Sequence, residues 1–439
     1  MKAAQTAQDI SPGLLKVMER AKDPNAQFNS LAHLIDEQAL KRAFGRIRKK
    51  AAVGVDGITK EQYGQDLDDN IADLLTRMKA SRYRHQSIRR VHIPKGKGKT
   101  RPIGISSIED KIVQGAMREV LGAVYEQEFL PCSYGFRPKR SAHDAMRAVN
   151  QMTHSEGIGW ILEADIESFF DSLDRTKLRE MVGKRVMDGS MIRLIGKCLK
   201  VGVLDGEEFA RPETGTAQGS ILSPLLGNIY LHYVLDQWFD EEVRTRLQGH
   251  ARLIRYADDF VIGFARRDDA ERVLAVLHKR MAKFGLKLHP QKTRLIDFRR
   301  PPWGSTRAQT SSFDFLGFTL FWRRGRKGGW APGMKTRRAS IRKASTAISA
   351  YCRRQRHRPL KEQHAALSAK VQGHFQYFGV NGNFRSLGKV RHQVRRIWFI
   401  WLRRRSQKRT KLSWLRFDAY LKRFPLPSPR ICVQIWQTP

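Results

Sequence analysis

A chain of 439 residues with 82 Lys and Arg against 42 Asp and Glu carries a formal charge of +40 and a pI near 10.7. That balance excludes an ordinary metabolic enzyme and demands a polyanionic partner, and the length leaves room for two or three domains with a large core. The scattered cysteines Cys132, Cys198, Cys352 and Cys432 lack the paired spacing of a zinc site or disulfide framework, which points to a reducing, cytoplasmic setting.

In chain order, residues 1–30 are polar and read as a loosely held lead-in without a signal-sequence core. Leu31 through Ile47 predict an amphipathic helix, and helical segments follow between 60 and 83. Val91 through Ile103 reads as two short apolar strands around a basic, glycine-containing turn. Its Lys95, Lys97, Lys99 and Arg101 suit a triphosphate, Arg as a fork and Lys as a point charge. Helices are expected near 108–125 and 268–284. Trp160 through Ile166 reads as a buried strand ending near Asp165, and Phe169-Phe170 leads into a helix capped by Asp171 or Ser172. The loop Gly215-Thr216-Ala217-Gln218-Gly219 has the glycines needed where backbone approaches a ligand, and Ser223-Pro224 opens the next helix with Ser as cap.

Two adjacent carboxylates, Asp258 and Asp259, lie between the apolar runs Leu253-Ile254 and Phe260-Val261-Ile262. A strand, a tight acidic turn and a second strand place both at the lip of a half-buried hairpin. Such a pair beside a low-dielectric core calls for a cation, and Mg²⁺ takes a few carboxylate oxygens with water and phosphate. Asp165 would be the third carboxylate of a two-metal site for in-line phosphoryl chemistry. Glu163 and Glu167 compete for that place and read as structural.

Further along, Arg299 through Ser305 reads as a surface loop, and the glycine-rich stretch 325–333 as a hinge. Residues 335–358 form a basic helical stretch. Arg395 through Arg409 alternates cations with aromatics, as a helix with a buried seam of Trp398, Phe399 and Trp401 and a basic outer face. Residues 321–439 hold 30 basic and two acidic residues, so this last part of the chain carries most of the positive charge. That excess favours phosphate contact. Pro425, Pro427 and Pro429 predict an extended end. There is no internal repeat, and the longest apolar run is far too short to span a membrane.

The ordered set Arg101-Pro102-Ile103-Gly104-Ile105, Ser133 through Pro138, Asp165 through Phe170, Ala217-Gln218-Gly219, Tyr256 through Asp259, Gly285 through Thr293 and Phe315-Leu316-Gly317-Phe318 resembles the reverse transcriptases and maturases encoded by group II introns. The likeness extends to Gly54-Val55-Asp56-Gly57 and, in the tail, to Gly373 through Leu387, which is similar to the family's thumb. The resemblance implies an α+β right-hand polymerase fold. After the lead-in, fingers and a ferredoxin-like palm would span 31–325, an α-helical thumb or maturase domain 326–395, and a small basic DNA-binding domain 396–439. It implies catalytic Asp165, Asp258 and Asp259, two Mg²⁺ ions held by these with Ile166, and deoxynucleotide substrates. Lys95 and Arg101 would grip the triphosphate. Phe170 would bar a ribose 2′-hydroxyl, Gln218 would lie along base and sugar, and Lys292 would sit near the reaction centre. Ala217 and Ser220 depart from the family's pattern, where Pro and Gly are common, and touch only loop rigidity.

Nucleic-acid contacts are expected from Arg337, Arg338, Arg342, Lys343, Arg395, Arg396, Arg403, Arg404, Arg405, Lys408 and Arg409. The implied partners are the parent intron RNA, an RNA template with its DNA primer, and target DNA, for a monomer or homodimer without membrane contact. The chain ends at Pro439 without the nuclease domain many relatives add, which implies mobility using primers already present at the target. Two other readings stay open: a cousin serving DNA repair or phage defence, and an RNA-binding splicing chaperone without polymerase activity.

Overall fold

The computed structural model describes residues 10–96, 99–205, 208–210, 214–216, 219–305, 311–325, 328–405 and 412–436. The chain begins with helix α1 (Pro12–Arg20), whose first turn is capped by the Ser11 hydroxyl, and α2 (Glu37–Arg46), capped by the Asp36 carboxylate on the Ala39 amide at 2.7 Å. Next come α3 (Lys60–Tyr63), with a Thr59–Gln62 capping box, and α4 (Leu67–Lys79). Strands β1 (Ile88–Gly96) and β2 (Lys99–Ile105) form an antiparallel hairpin that leads into α5 (Ile108–Tyr125).

Helix α6 (Ala142–Ser155) precedes β3 (Trp160–Asp165), the one-turn α7 (Phe169–Ser172), α8 (Arg175–Gly183) and α9 (Gly189–Leu199). Short strands β4 (Val203–Asp205) and β5 (Glu208–Ala210) extend the first hairpin into a sheet of order β2-β1-β4-β5. After α10 (Ser223–Leu231), β6 (Ala251–Tyr256) and β7 (Asp259–Phe264) form a hairpin, followed by α11 (Arg267–Lys283) and β8 (Arg294–Asp297). The resulting antiparallel sheet has the order β6-β7-β3-β8.

That central sheet separates two cores, as the period of two along its strands requires. On one face Leu162, Phe260 and Ile262 join α5 and the Val273–Leu277–Met281 stripe of α11. On the other, Ile161, Ile254 and Val261 meet Met146, Val149 and Met152 of α6. This second core continues into a sheet of β9 (Ser312–Phe315), β10 (Phe318–Arg324) and β11 (Trp330–Thr336). Helices α12 (Arg338–Gln355), α13 (Leu360–Phe378), α14 (Phe384–Leu402) and α15 (Trp414–Arg423) close around a third core centred on the fully buried Trp398.

Several expectations change. The lead-in is tied down from its first described residues. Leu14, Val17 and Phe28 are buried, Phe28 bridges to Val186, and the Arg185 guanidinium donates to the carbonyls of Ala21, Asp23 and Ala26. The helix expected from Leu31 begins only at Glu37, because Asp36 offers a better cap than any residue before it. Neither Asp171 nor Ser172 stands at the N-cap position of a described helix. They lie inside α7, and the carboxylate that caps the next helix is Asp174, on the amides of Thr176 and Lys177. Ser223 sits one position inside α10, with Pro224 in the first turn. The stretch 325–333 is no hinge. Of its described residues, Trp330–Gly333 lie in β11, which pairs with β10 from Phe318↔Thr336 to Arg324↔Trp330. A domain boundary at 325/326 would therefore cut a hairpin, and one at 395/396 would cut α14.

Candidate active site

β3 and β7 run antiparallel in a register that sets Asp165 directly opposite Asp259. Facing residues in adjacent strands lie about 5 Å apart, within reach of a shared ion. Ala257 and Asp258 form the two-residue turn between the pair Tyr256↔Asp259. Ala257 has φ +57, the positive value that a tight hairpin turn demands at its first central residue.

The turn is braced from below. The segment Cys132–Tyr134 pairs with β6, Arg255 N donating to Cys132 O at 2.8 Å and Tyr134 N to Arg255 O at 2.9 Å. Gly135 packs so close to the Ala257 amide that a Cβ would not fit. Beneath both lies Arg255, with no exposed surface. Its guanidinium donates to Asp236 (2.6 and 2.5 Å), Asn228 Oδ1 (3.0 Å), Ser133 Oγ (2.8 Å) and the Ala257 carbonyl (3.1 Å). Asn228 Nδ2 in turn donates to the Gly135 carbonyl at 2.8 Å. Sequence reasoning passed over this hub, although an arginine inside the apolar run Leu253-Ile254-Arg255-Tyr256 is itself a signal for a buried partner.

Asp165 and Asp259 open onto a cleft of about 300 Å³ whose walls include Lys292, Asp314, Gly317 and Arg337. Beside Asp165 and Asp258, the Asp259 carboxyl is pushed up to about 7. Burial is the main cause, followed by its hydrogen bond with Asp165 and the charges of Asp258 and Asp165. Asp258 is also raised, by burial first and Asp165 next, with Arg101 and Lys292 opposing. Both basic groups therefore exert their fields on the acidic turn.

Among the described residues, no three acidic, His or Cys side chains close around one point. Asp165 Oδ2 is instead paired with Lys292 Nζ. The donor chemistry nonetheless fits a divalent ion: Asp165 faces Asp259 across the strands, Asp258 stands in the adjoining turn, and the Lys292 ammonium is paired with Asp165. Asp165, Asp258 and Asp259 are the side chains that could hold it. His289 N bonds to Asp165 O and Glu167 N to Lys287 O. These bonds leave the amide and carbonyl of Ile166 directed to the opposite side, towards β7 and the acidic turn. The rival Glu163 is occupied by Arg294 at 2.9 Å.

Phe170 lies in α7 against Phe169 (ring centroids 5.1 Å apart) and Gly227, and its carbonyl accepts from the Thr216 amide at 2.7 Å. Arg101 is exposed on β2, opposite Ile93. Gln218, Lys408 and Arg409 lie outside the described residues, as does the side chain of Lys95. The expected nucleic-acid contacts divide. Arg338, Arg342 and Lys343 are exposed on α12, and Arg396 on α14. Arg395 is forked onto Asp418 at 2.6 and 2.7 Å, Arg337 is paired with Asp314 at 2.9 Å, and Arg405 donates to the His357 and Arg358 carbonyls. Arg403 lies over Phe399 and Arg404 over Trp401.

Residues 93–320 match the family model described as reverse transcriptase (RNA-dependent DNA polymerase). The chain belongs to this reverse transcriptase family. It is similar to Protein YkfC of Escherichia coli (strain K12), 35% identical over 243 residues, covering 54% of this chain and 63% of that protein. It is also similar to the group II intron-encoded protein LtrA of Lactococcus lactis subsp. cremoris, 34% identical over 217 residues, 48% of this chain and 36% of that one. Nuclear intron maturase 2, mitochondrial, of Arabidopsis thaliana is 26% identical over 176 residues, 31% of this chain and 24% of its own. The match thus spans a quarter to under two thirds of these relatives. Group II intron-encoded and intron maturase proteins are thus among the relatives that the chain is similar to, in keeping with the resemblance that the ordered motifs carry. Family membership carries divalent-metal and nucleotide chemistry in general terms. Among the described residues, no helix is long and apolar enough to cross a membrane.

Proposed function

We propose that the chain is an RNA-directed DNA polymerase that extends a primer 3′-hydroxyl with deoxynucleotides, and that it binds its parent intron RNA to promote splicing and mobility. The observation that carries the polymerase reading is the register of Asp165 opposite Asp259 with Asp258 in the adjoining turn. In this reading the sheet β6-β7-β3-β8 is the palm, the β1–β2 hairpin belongs to the fingers, α12–α14 form the thumb, and the basic end contacts DNA in the cytosol. Two Mg²⁺ ions, held by Asp165, Asp258, Asp259 and the Ile166 carbonyl, would supply charge neutralisation at the attacking and leaving oxygens.

The chain's own groups do the rest. Arg101, with Lys95, orients the triphosphate from β2. Lys292, paired with Asp165, holds that carboxylate on the cleft wall. Phe170 presents an apolar ring where a 2′-hydroxyl would have to be desolvated without a partner.

Primer extension on poly(rA) with oligo(dT) tests the assignment. The wild type should extend, and Asp258→Ala should lose about a thousandfold or more of the rate, the scale of removing a principal charge-stabilising group. Phe170→Ala should improve use of ribonucleotides relative to deoxynucleotides by roughly tenfold to a hundredfold. An Asp258→Ala protein that extends as well as wild type would overturn the catalytic role of Asp258, and a wild type that does not extend would leave the chain as a nucleic-acid-binding protein only.

A further inference from the structure

Gln114 is an amide on the buried face of α5, with 1% of its surface exposed. Its Oε1 accepts two hydrogen bonds from one loop, from Ser220 Oγ and from the Ile221 amide, both at 3.0 Å. Its Nε2 lies 2.8 Å from Nε2 of His85 and 3.3 Å from Ser106 Oγ. His85 Nδ1 is 2.7 Å from the Gln86 carbonyl, so that nitrogen carries the hydrogen and Nε2 is left to accept from the amide. The carboxamide is thereby oriented, with only its oxygen free to face the loop. One turn earlier Asp110 secures the same region, accepting from Tyr83 Oη (2.6 Å), Ser107 Oγ (2.7 Å) and Gln86 N (3.1 Å).

The held loop is anchored on its other sides too. Gly219, at φ +112, lies against the Gly104 carbonyl of β2 with no room for a Cβ. On the far flank, Gly215 N donates to Leu173 O at 2.8 Å and Thr216 N to Phe170 O at 2.7 Å. Gly219 thus adjoins the strand that carries Arg101, and Thr216 is bonded to the helix that carries Phe170. Ser220, one of the two departures from the family's pattern, is only half-buried, so its hydroxyl is not needed to satisfy the core.

We propose that Gln114 is a positioning residue for the incoming deoxynucleoside triphosphate: it clamps residues 219–222 and so fixes the distance between the strand of Arg101 and the helix of Phe170. This rests on the polymerase reading. A merely satisfied core amide would lower stability when replaced and leave nucleotide affinity alone. A clamp makes nucleotide affinity depend on it while leaving the chemical step and duplex binding in place.

The test is steady-state extension of oligo(dT) on poly(rA) across a range of dTTP, for wild type, Gln114→Leu, Ser220→Ala and the double variant, with amide hydrogen exchange at Ile221. Gln114→Leu should raise KM for dTTP about tenfold and Ser220→Ala about threefold, the scale of one or two lost hydrogen bonds, with kcat changed less than about twofold. The double variant should be no worse than Gln114→Leu, because the hydroxyl has already lost its acceptor. Ile221 protection should fall in Gln114→Leu. The inference is overturned if KM stays at the wild-type value in the folded variants, if the two effects add, or if Ile221 exchange is unchanged. Ser220→Ala keeps the test open should Gln114→Leu fail to fold. Failure of the wild type itself to extend would sink the polymerase reading instead, and the exchange measurement alone would then judge the clamp.

Discussion

Arg255 shows how one buried charge holds an acidic turn in place. A guanidinium without water is tolerable only when its donors are met, and here Asp236, Asn228, Ser133 and the Ala257 carbonyl meet them. Removing one partner leaves the other charge stranded. Asp236→Ala should therefore cost about 3–5 kcal/mol, measured as a shift in the guanidinium chloride midpoint. Replacing Arg255 and Asp236 together by Met and Leu should recover most of that stability without recovering primer extension, because the Ala257 carbonyl loses its brace. The arginine was visible in the sequence as a charge in a hydrophobic strand. Its partner, 19 residues upstream in another element, was not. The same division explains the basic tail: Arg395 and Arg338 look alike in sequence, yet one is forked onto Asp418 and the other is exposed.

At the scale of elements, Asp188 joins two segments that the sequence does not link. Its carboxylate accepts from Leu31 N (2.6 Å) and Ala32 N (2.7 Å) at one helical start, and from Ser190 N (2.8 Å) and Met191 N (3.1 Å) at the start of α9. Burial alone would raise this group; the four main-chain donors together outweigh burial and hold it below the ordinary aspartate value. A depressed folded value means the stabilisation is complete above the unfolded value and disappears as pH falls through the folded one. Asp188→Asn should cost about 1–2 kcal/mol at pH 7. The gap from wild type should narrow below about pH 4, followed by urea denaturation across that range. Helices with a clear apolar period, such as α5 and α11, were legible almost to the residue. The start of α2 and the one-turn α7 were not, because capping and cross-chain hydrogen bonds override periodicity at element ends.

For the molecule as a whole, the charge concentrated after residue 320 would, in the proposed reading, set the strength of nucleic-acid binding. Contacts with phosphate release counterions, so affinity for an RNA–DNA duplex should fall steeply with salt. Replacing Arg338, Arg342 and Lys343 together by Gln should reduce the slope of log K against log salt by roughly two to three, measured by fluorescence anisotropy from 50 to 300 mM KCl (about the range in which such slopes are linear). Replacing Arg395 should instead lower thermal stability and leave that slope nearly unchanged, since its charge is already met by Asp418.

Composition, motif order and hydrophobic period by themselves determined the excess of positive charge, the family, the acidic hairpin and most helices, because each is written in neighbouring residues. Only the tertiary structure decided that Asp165 faces Asp259, that Gln114 and Arg255 serve the loops above them, that residues 10–30 belong to the core, and that the chain after residue 325 continues an existing sheet. Those outcomes depend on strand register and on partners far apart along the chain, which no local pattern encodes.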